Sequence, residues 1–172
     1  MTSRTERRAT LLQAWEAQVV QLREAIAGLS EEELGTIVEG ERWTVGQILY
    51  HAAAGLTYPR DLHEIALTSG EATAADMRLY DPPADESPSQ VELLTLLDAR
   101  AEAARRYLAQ LSDDAFFAAT PITMPSGRRF DASLPTALAS SIDHQREHLE
   151  QVREWLRRGQ PVKRRLADER PV

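Results

Sequence analysis

Residues 133–156 read SLPTALASSIDHQREHLEQVREWL, a stretch long enough for about six turns of helix. Leu134, Leu138, Ser141, Gln145, His148, Val152 and Trp155 recur at the spacing of one helix face, with Ile142, Leu149 and Leu156 beside them. Such a one-sided stripe has to be covered by other elements. The stretch also holds two of the four histidines, His144 and His148. Their separation of four residues puts both imidazoles on one side of the helix, one turn apart.

Three further long patterns can supply the cover. The first runs from about Thr5 to Leu29 and carries Leu11, Leu12, Trp15, Val19, Leu22, Ile26 and Leu29 at helical spacing. After Gly28, Ser30 and Glu33 form a capping-box pair opening a short turn through Leu34. The second long helix starts at WTVGQI, where Thr44 caps, Gln47 completes the box, and Trp43 with Ile48 makes a hydrophobic staple. Its stripe is Val45, Ile48, Leu49, Ala52 and Leu56, with His51 at the margin. Pro59 removes a backbone donor, so a kinked continuation through Leu62, Ile65 and Ala66 is expected. The loop-like DPPADESPS precedes the third long pattern, for which Ser87 as cap, Pro88 and Gln90 give the start, and Leu93, Leu94, Leu97, Ala101, Ala104 and Leu108 the apolar face. Ser112 caps a further short turn. A small hairpin between Ile122–Met124 and Arg128–Phe130 is expected around Pro125, Ser126 and Gly127, and Asp131 or Ser133 then caps the last helix.

Four one-sided helical patterns without a convincing strand run predict an all-α four-helix bundle. The stretch before Ser87 is long enough for a crossover between the second and third helices. The expected division is a bundle domain over 1–160 and a flexible tail over 161–172.

Composition narrows the chemistry. The absence of cysteine removes disulfides, thiolate nucleophiles and thiolate ligands, so a metal site has to use histidine and oxygen donors. A net charge of −7 argues against general nucleic-acid binding, which needs a basic face. No window approaches a membrane span, and MTSRTERRATLLQAW lacks the uninterrupted apolar core of a signal peptide, so a cytoplasmic protein is expected.

His144 and His148 alone are a weak metal signal, because a strong site needs further ligands. His51 lies near the middle of the second helix, from which it can face them across the bundle; three imidazoles plus water would leave a position open for chemistry. The plain alternative is three hydrogen-bonded bundle histidines with no metal. Glu147 does not reproduce the H-E-x-x-H order of zinc proteases and reads as a solvated carboxylate. His63, beyond Pro59, reads as a surface histidine. Gln47, Tyr58, Trp155, Arg128 and Arg129 are candidate pocket residues, each with an ordinary reading beside it: cap, core, core, and a solvated edge for the two arginines.

Trp43-Thr44-Val45-Gly46-Gln47-Ile48-Leu49-Tyr50-His51 and His144-Gln145-Arg146-Glu147-His148-Leu149, with SEEEL and PSGRRF in the same order, resemble the DinB-like (DinB/YfiT) superfamily of metal-dependent four-helix proteins over roughly residues 8–158. The resemblance implies a bundle whose long connection between the second and third helices changes the usual hairpin succession. It also implies a divalent metal on His51, His144 and His148, with zinc or nickel foremost and iron or manganese compatible. Some family members resemble thiol S-transferases or isomerases that use bacillithiol, mycothiol or glutathione. The leading expectation is therefore a metal-dependent transferase joining such a thiol to a small-molecule electrophile. The alternatives are a metal-dependent hydrolase and a non-catalytic small-ligand-binding or structural protein. Exposed apolar area on the first or third helix would make a homodimer.

Overall fold

The computed structural model describes residues 3–37, 41–69, 72–73, 80–84, 86–123, 127 and 129–158. Four long helical units form the bundle: α1 (Arg4–Ala27), α3 (Val45–Ala54) continued by α4 (Tyr58–Ser69), α5 (Gln90–Gln110) and α7 (Leu134–Arg158). Two short helices, α2 (Glu31–Leu34) and α6 (Asp113–Phe117), follow α1 and α5. The packing order is not that of successive hairpins. α1 packs chiefly against α7 and α5, and α3 packs chiefly against α5 and α7, so α1 and α3 lie diagonally across the bundle. This arrangement brings the second and last long helices side by side. The tail expected over 161–172 lies outside the described residues.

The caps explain where the helices begin. Ser3 with Glu6, Ser30 with Glu33, and Thr44 with Gln47 each form a reciprocal capping box. The start of α5 differs from the expectation: the cap is Ser89, bonded reciprocally to Glu92, rather than Ser87. An ionised carboxylate is a stronger acceptor for the cap N–H than the neutral amide of Gln90, and these bonds lower the pKa of Glu92. Ser87 instead donates from its hydroxyl to the Leu34 carbonyl at 2.8 Å and lies 2.9 Å from the Thr44 hydroxyl. It ties the end of α2 to the start of α3. Gly46 sits in that joint, where an added Cβ would lie 2.6 Å from Ser87 Oγ, 3.1 Å from the Pro88 carbonyl and 3.2 Å from the Leu34 carbonyl.

Pro59 does not stop the second helix. Between α3 and α4 the chain tightens into a 3₁₀ turn, Gly55–Thr57. Proline has no N–H to offer the carbonyl four residues back, which is that of Gly55. Ser141 of α7 approaches that oxygen with its hydroxyl at 3.4 Å, and the Thr57 hydroxyl donates to the Ala54 carbonyl at 3.3 Å.

The core is drawn from the four stripes, with Trp15, Leu22 and Ile26 of α1, Leu49 of α3, Leu93 and Leu97 of α5, and Leu138 and Leu149 of α7 all essentially removed from solvent. The hairpin is longer than expected, with β2 (Ala119–Thr123) and β3 (Arg129–Ser133) antiparallel and Ile122 opposite Phe130. The two-residue strand β1 (Ala72–Thr73) adds in parallel to β2 and completes a three-stranded sheet. Asp131 lies within β3, leaving Ser133 as the residue before α7. Among the described residues no helix is long and apolar enough to cross a membrane.

Candidate functional site

The capping box at Thr44 fixes the first turn of α3, with the Thr44 N–H donating to Gln47 Oε1 at 3.0 Å and the Gln47 N–H to Thr44 Oγ1 at 3.1 Å. His51 follows one turn after Gln47 and points toward α7. His51 Nε2 lies 3.2 Å from His144 Nε2, and His148 Nε2 lies 3.2 Å from the same atom. One ring nitrogen from each of the three histidines lies within 4.8 Å of the others. The three are the only histidine, aspartate or glutamate side chains among the described residues that gather in this way.

Hydrogen bonds behind the rings decide what the facing atoms are. His51 Nδ1 is 3.1 Å from the Tyr80 carbonyl, which can only accept, so Nδ1 carries the hydrogen and Nε2 presents a lone pair to the cluster. On His148, Nδ1 is 3.3 Å from Gln151 Oε1 and is set in the same sense. His144 Nε2 can donate its one hydrogen to only one of these two neighbours at a time. The cluster is thus short of positive charge and rich in nitrogen lone pairs. Burial lowers the pKa of His148 to about 4, with the neighbouring His144 adding to the shift. His144 is exposed as a residue, but its ring is turned into the cluster, where burial and then His51 lower its pKa. Trp43 is half-buried and stands beside His51, with ring centroids 5.1 Å apart.

The other sequence candidates are dispersed. Gln47 is buried and fully engaged, its Nε2 donating to the Pro83 carbonyl at 2.7 Å as well as serving the cap. Tyr58 is half-buried against Tyr80, edge to face, and burial raises its pKa. Trp155 is 9% exposed and belongs to the core cluster. Arg129 lies in β3 and Arg128 lies outside the described residues. Glu147 is exposed, and its charge is felt at His148. His63 corrects the surface reading: it is 3% exposed, with Nδ1 2.6 Å from the Tyr107 hydroxyl. The 3₁₀ turn rotates α4 relative to α3, carrying His63 inward to α5.

Three supporting groups had escaped the sequence reading. Gln151 is three residues beyond His148, and helical spacing alone would have found it. The Tyr80 carbonyl is a backbone atom and has no sequence signature. Asp61, which accepts from the Tyr80 hydroxyl at 2.8 Å, is legible only once Tyr80 is placed.

The diagonal bundle and the three-histidine cluster define the class of protein. The model of the DinB superfamily matches residues 9–152, and the chain belongs to that superfamily. The structure is similar to YfiT from Bacillus subtilis, described as a probable metal-dependent hydrolase with an unusual four-helix bundle topology, with a TM-score of 0.71 and 21% identity over 92% of this chain and 90% of that one. It is also similar to the mycothiol-dependent maleylpyruvate isomerase, with a TM-score of 0.64 and 15% identity over 88% of this chain. The match covers 63% of the isomerase. At these identities the likeness establishes the fold, and the reaction has to be argued from the site. No curated protein matches the chain in sequence.

Proposed function

We propose that His51, His144 and His148 hold one divalent metal ion and that the chain is a metal-dependent enzyme, with hydrolysis of a small-molecule substrate as its first reading. The observation that carries the proposal is the convergence of the three imidazoles. The two 3.2 Å separations are close to the roughly 3.3 Å edge of a tetrahedron built from nitrogen–metal bonds of about 2.05 Å. The donor chemistry fits as well. A metal ligand has to be deprotonated, and the lowered pKa of His148 and of His144 keeps both rings neutral at pH 7. Neutral imidazoles suit zinc or nickel, and iron is compatible.

A divalent ion held by three protein ligands supplies Lewis acidity at an open position, where it lowers the pKa of water or of a thiol. The chain's own part is to hold the three ring nitrogens around one point, with His51 and His148 set to present lone pairs, and to wall the His51 side with Trp43. Since the chain has no cysteine, a thiol nucleophile would have to come from a cosubstrate. Water needs no cosubstrate, and the similarity to YfiT supports the hydrolytic reading. The similarity to a mycothiol-dependent isomerase supports a second reading, transfer of bacillithiol, mycothiol or glutathione to an electrophile.

The test is to load the protein with zinc or nickel and to assay ester and amide hydrolysis beside conjugation of those thiols to a panel of electrophiles, with His148→Ala as control. Metal-dependent hydrolysis that His148→Ala abolishes is the expected result. Thiol conjugation without hydrolysis would replace the first reading by the second, and failure to take up stoichiometric metal would sink both. For the expected homodimer the candidates are Val20 on α1 and Val91 on α5, 50% and 71% exposed. A monomeric mass by light scattering would remove that expectation.

A further inference from the structure

The crossover reaches α3 at two points that lie one helical turn apart. Gln47 Nε2 donates to the Pro83 carbonyl at 2.7 Å, and His51 Nδ1 donates to the Tyr80 carbonyl at 3.1 Å. The Tyr80 side chain leads away from the cluster into α4. It is 5% exposed, its hydroxyl donates to Asp61 Oδ2 at 2.8 Å, and its ring meets Tyr58 edge to face. Asp61 is itself paired with Arg60 at 2.9 Å. Burial, and then the bond to Asp61, raise the Tyr80 pKa, so the phenol keeps the hydrogen that it donates. The carbonyl behind His51 is therefore held from α4 by a buried phenol, as well as by the path of the connecting chain.

We propose that Tyr80–Pro83 is a positioning strap for the metal centre, in which the Asp61–Tyr80 hydrogen bond places the Tyr80 carbonyl so that His51 keeps its Nε2 lone pair for the ion. This rests on the three-histidine reading above. Asp61, Tyr80 and Gln47 are positioning residues and contribute no side chain to the three-histidine cluster. Their effect runs through the tautomer. An imidazole released from the carbonyl can carry its hydrogen on either nitrogen, and the form protonated at Nε2 has no lone pair on the atom that faces the cluster. Partners of this kind, behind a ligating histidine, fix its ring angle as well as its tautomer, and their loss weakens metal binding about 10- to 100-fold.

The experiment compares wild type with Tyr80→Phe, Asp61→Ala, Asp61→Asn and Tyr107→Phe. Metal affinity is measured by competition with a zinc chelator, and the His51 tautomer by nitrogen-15 NMR of the metal-free protein. Tyr80→Phe and Asp61→Ala are expected to weaken zinc affinity about 10- to 100-fold while keeping one site per chain, and to raise the fraction of His51 protonated at Nε2. Asp61→Asn retains an oxygen acceptor and is expected to restore both readouts toward wild type. The double variant Tyr80→Phe/Asp61→Ala should be no weaker than Asp61→Ala alone, because that change has already broken the bond that Tyr80→Phe removes. Tyr107→Phe removes a comparable buried hydroxyl contact from His63 and should leave zinc affinity unchanged. If Asp61→Ala does not fold, Tyr80→Phe, which deletes one oxygen, decides the matter. An unaltered tautomer with unaltered affinity in Tyr80→Phe would overturn the strap. A wild-type protein that takes up no zinc would overturn the metal reading, while the tautomer would still report separately on whether Tyr80 orients His51.

Discussion

His51 and His63 stand on the same run of helix and have opposite surroundings. His51 is half-buried and meets two other imidazoles across the α3–α7 seam. His63 is buried on the α4–α5 side and meets one phenol. Burial lowers the pKa of His63, which the Ala115 backbone partly opposes, just as burial lowers those of His144 and His148. A depressed histidine pKa is thus no mark of function by itself in this molecule. What separates the two regions is convergence: ring nitrogens of three histidines share a focus in one, and a lone imidazole meets a phenol and the Ala115 backbone in the other.

The strongest way to break this contrast is to remove one member of each region. His148→Ala should abolish stoichiometric metal uptake, with an affinity loss of at least about 100-fold, and leave the helical circular dichroism intact. Elemental analysis of the purified variant would show it. His63→Ala should do the reverse, retaining metal while losing about 2–4 kcal/mol of stability from the cavity and the orphaned Tyr107 hydroxyl, measured by urea unfolding. A loss of metal in His63→Ala would dissolve the distinction. Gly46→Ala tests the frame behind His51: its Cβ meets two carbonyl oxygens and a serine hydroxyl, so a destabilisation of about 1–3 kcal/mol is expected, again by urea unfolding.

The smallest effect is on pH dependence. An unfolded histidine titrates near 6.5, whereas folded His148 titrates at about 4, and His63 and His144 are shifted in the same direction. Between those values the unfolded chain binds more protons, so the stability of the metal-free protein should fall as pH drops from about 6.5 toward 4. The contribution of His148 is complete above the upper limit and is lost by the lower one. His63→Leu should make the slope shallower, and an unchanged slope would show that His63 is not held neutral by the fold.

Much of this was legible in the sequence because capping and periodicity are local. Ser30 with Glu33, Thr44 with Gln47, and Ser112 announce their helices, and the stripes on α1, α3, α5 and α7 identify what each helix buries. Ser87 misled because SPSQVE contains two cap-like serines, and only the chain's return to Leu34 and Thr44 separates their roles. β1 escaped notice because two residues carry no period, and their pairing to Ile122 and Thr123 is made across a long separation in the chain. In the site, the three ring-bearing positions were readable. The Tyr80 carbonyl was not, since every residue has a carbonyl and only the fold selects one.

The 3₁₀ turn at Gly55–Thr57 also sets angular phase. An α-helix advances about 100° per residue and a 3₁₀ helix about 120°. Over the 12 residues from His51 to His63, an uninterrupted α-helix would leave the two rings about 120° apart around the axis. With three residues in the tighter form the offset becomes about half a revolution. One continuous rod therefore serves two seams of the bundle, with His51 turned to α7 and His63 to α5.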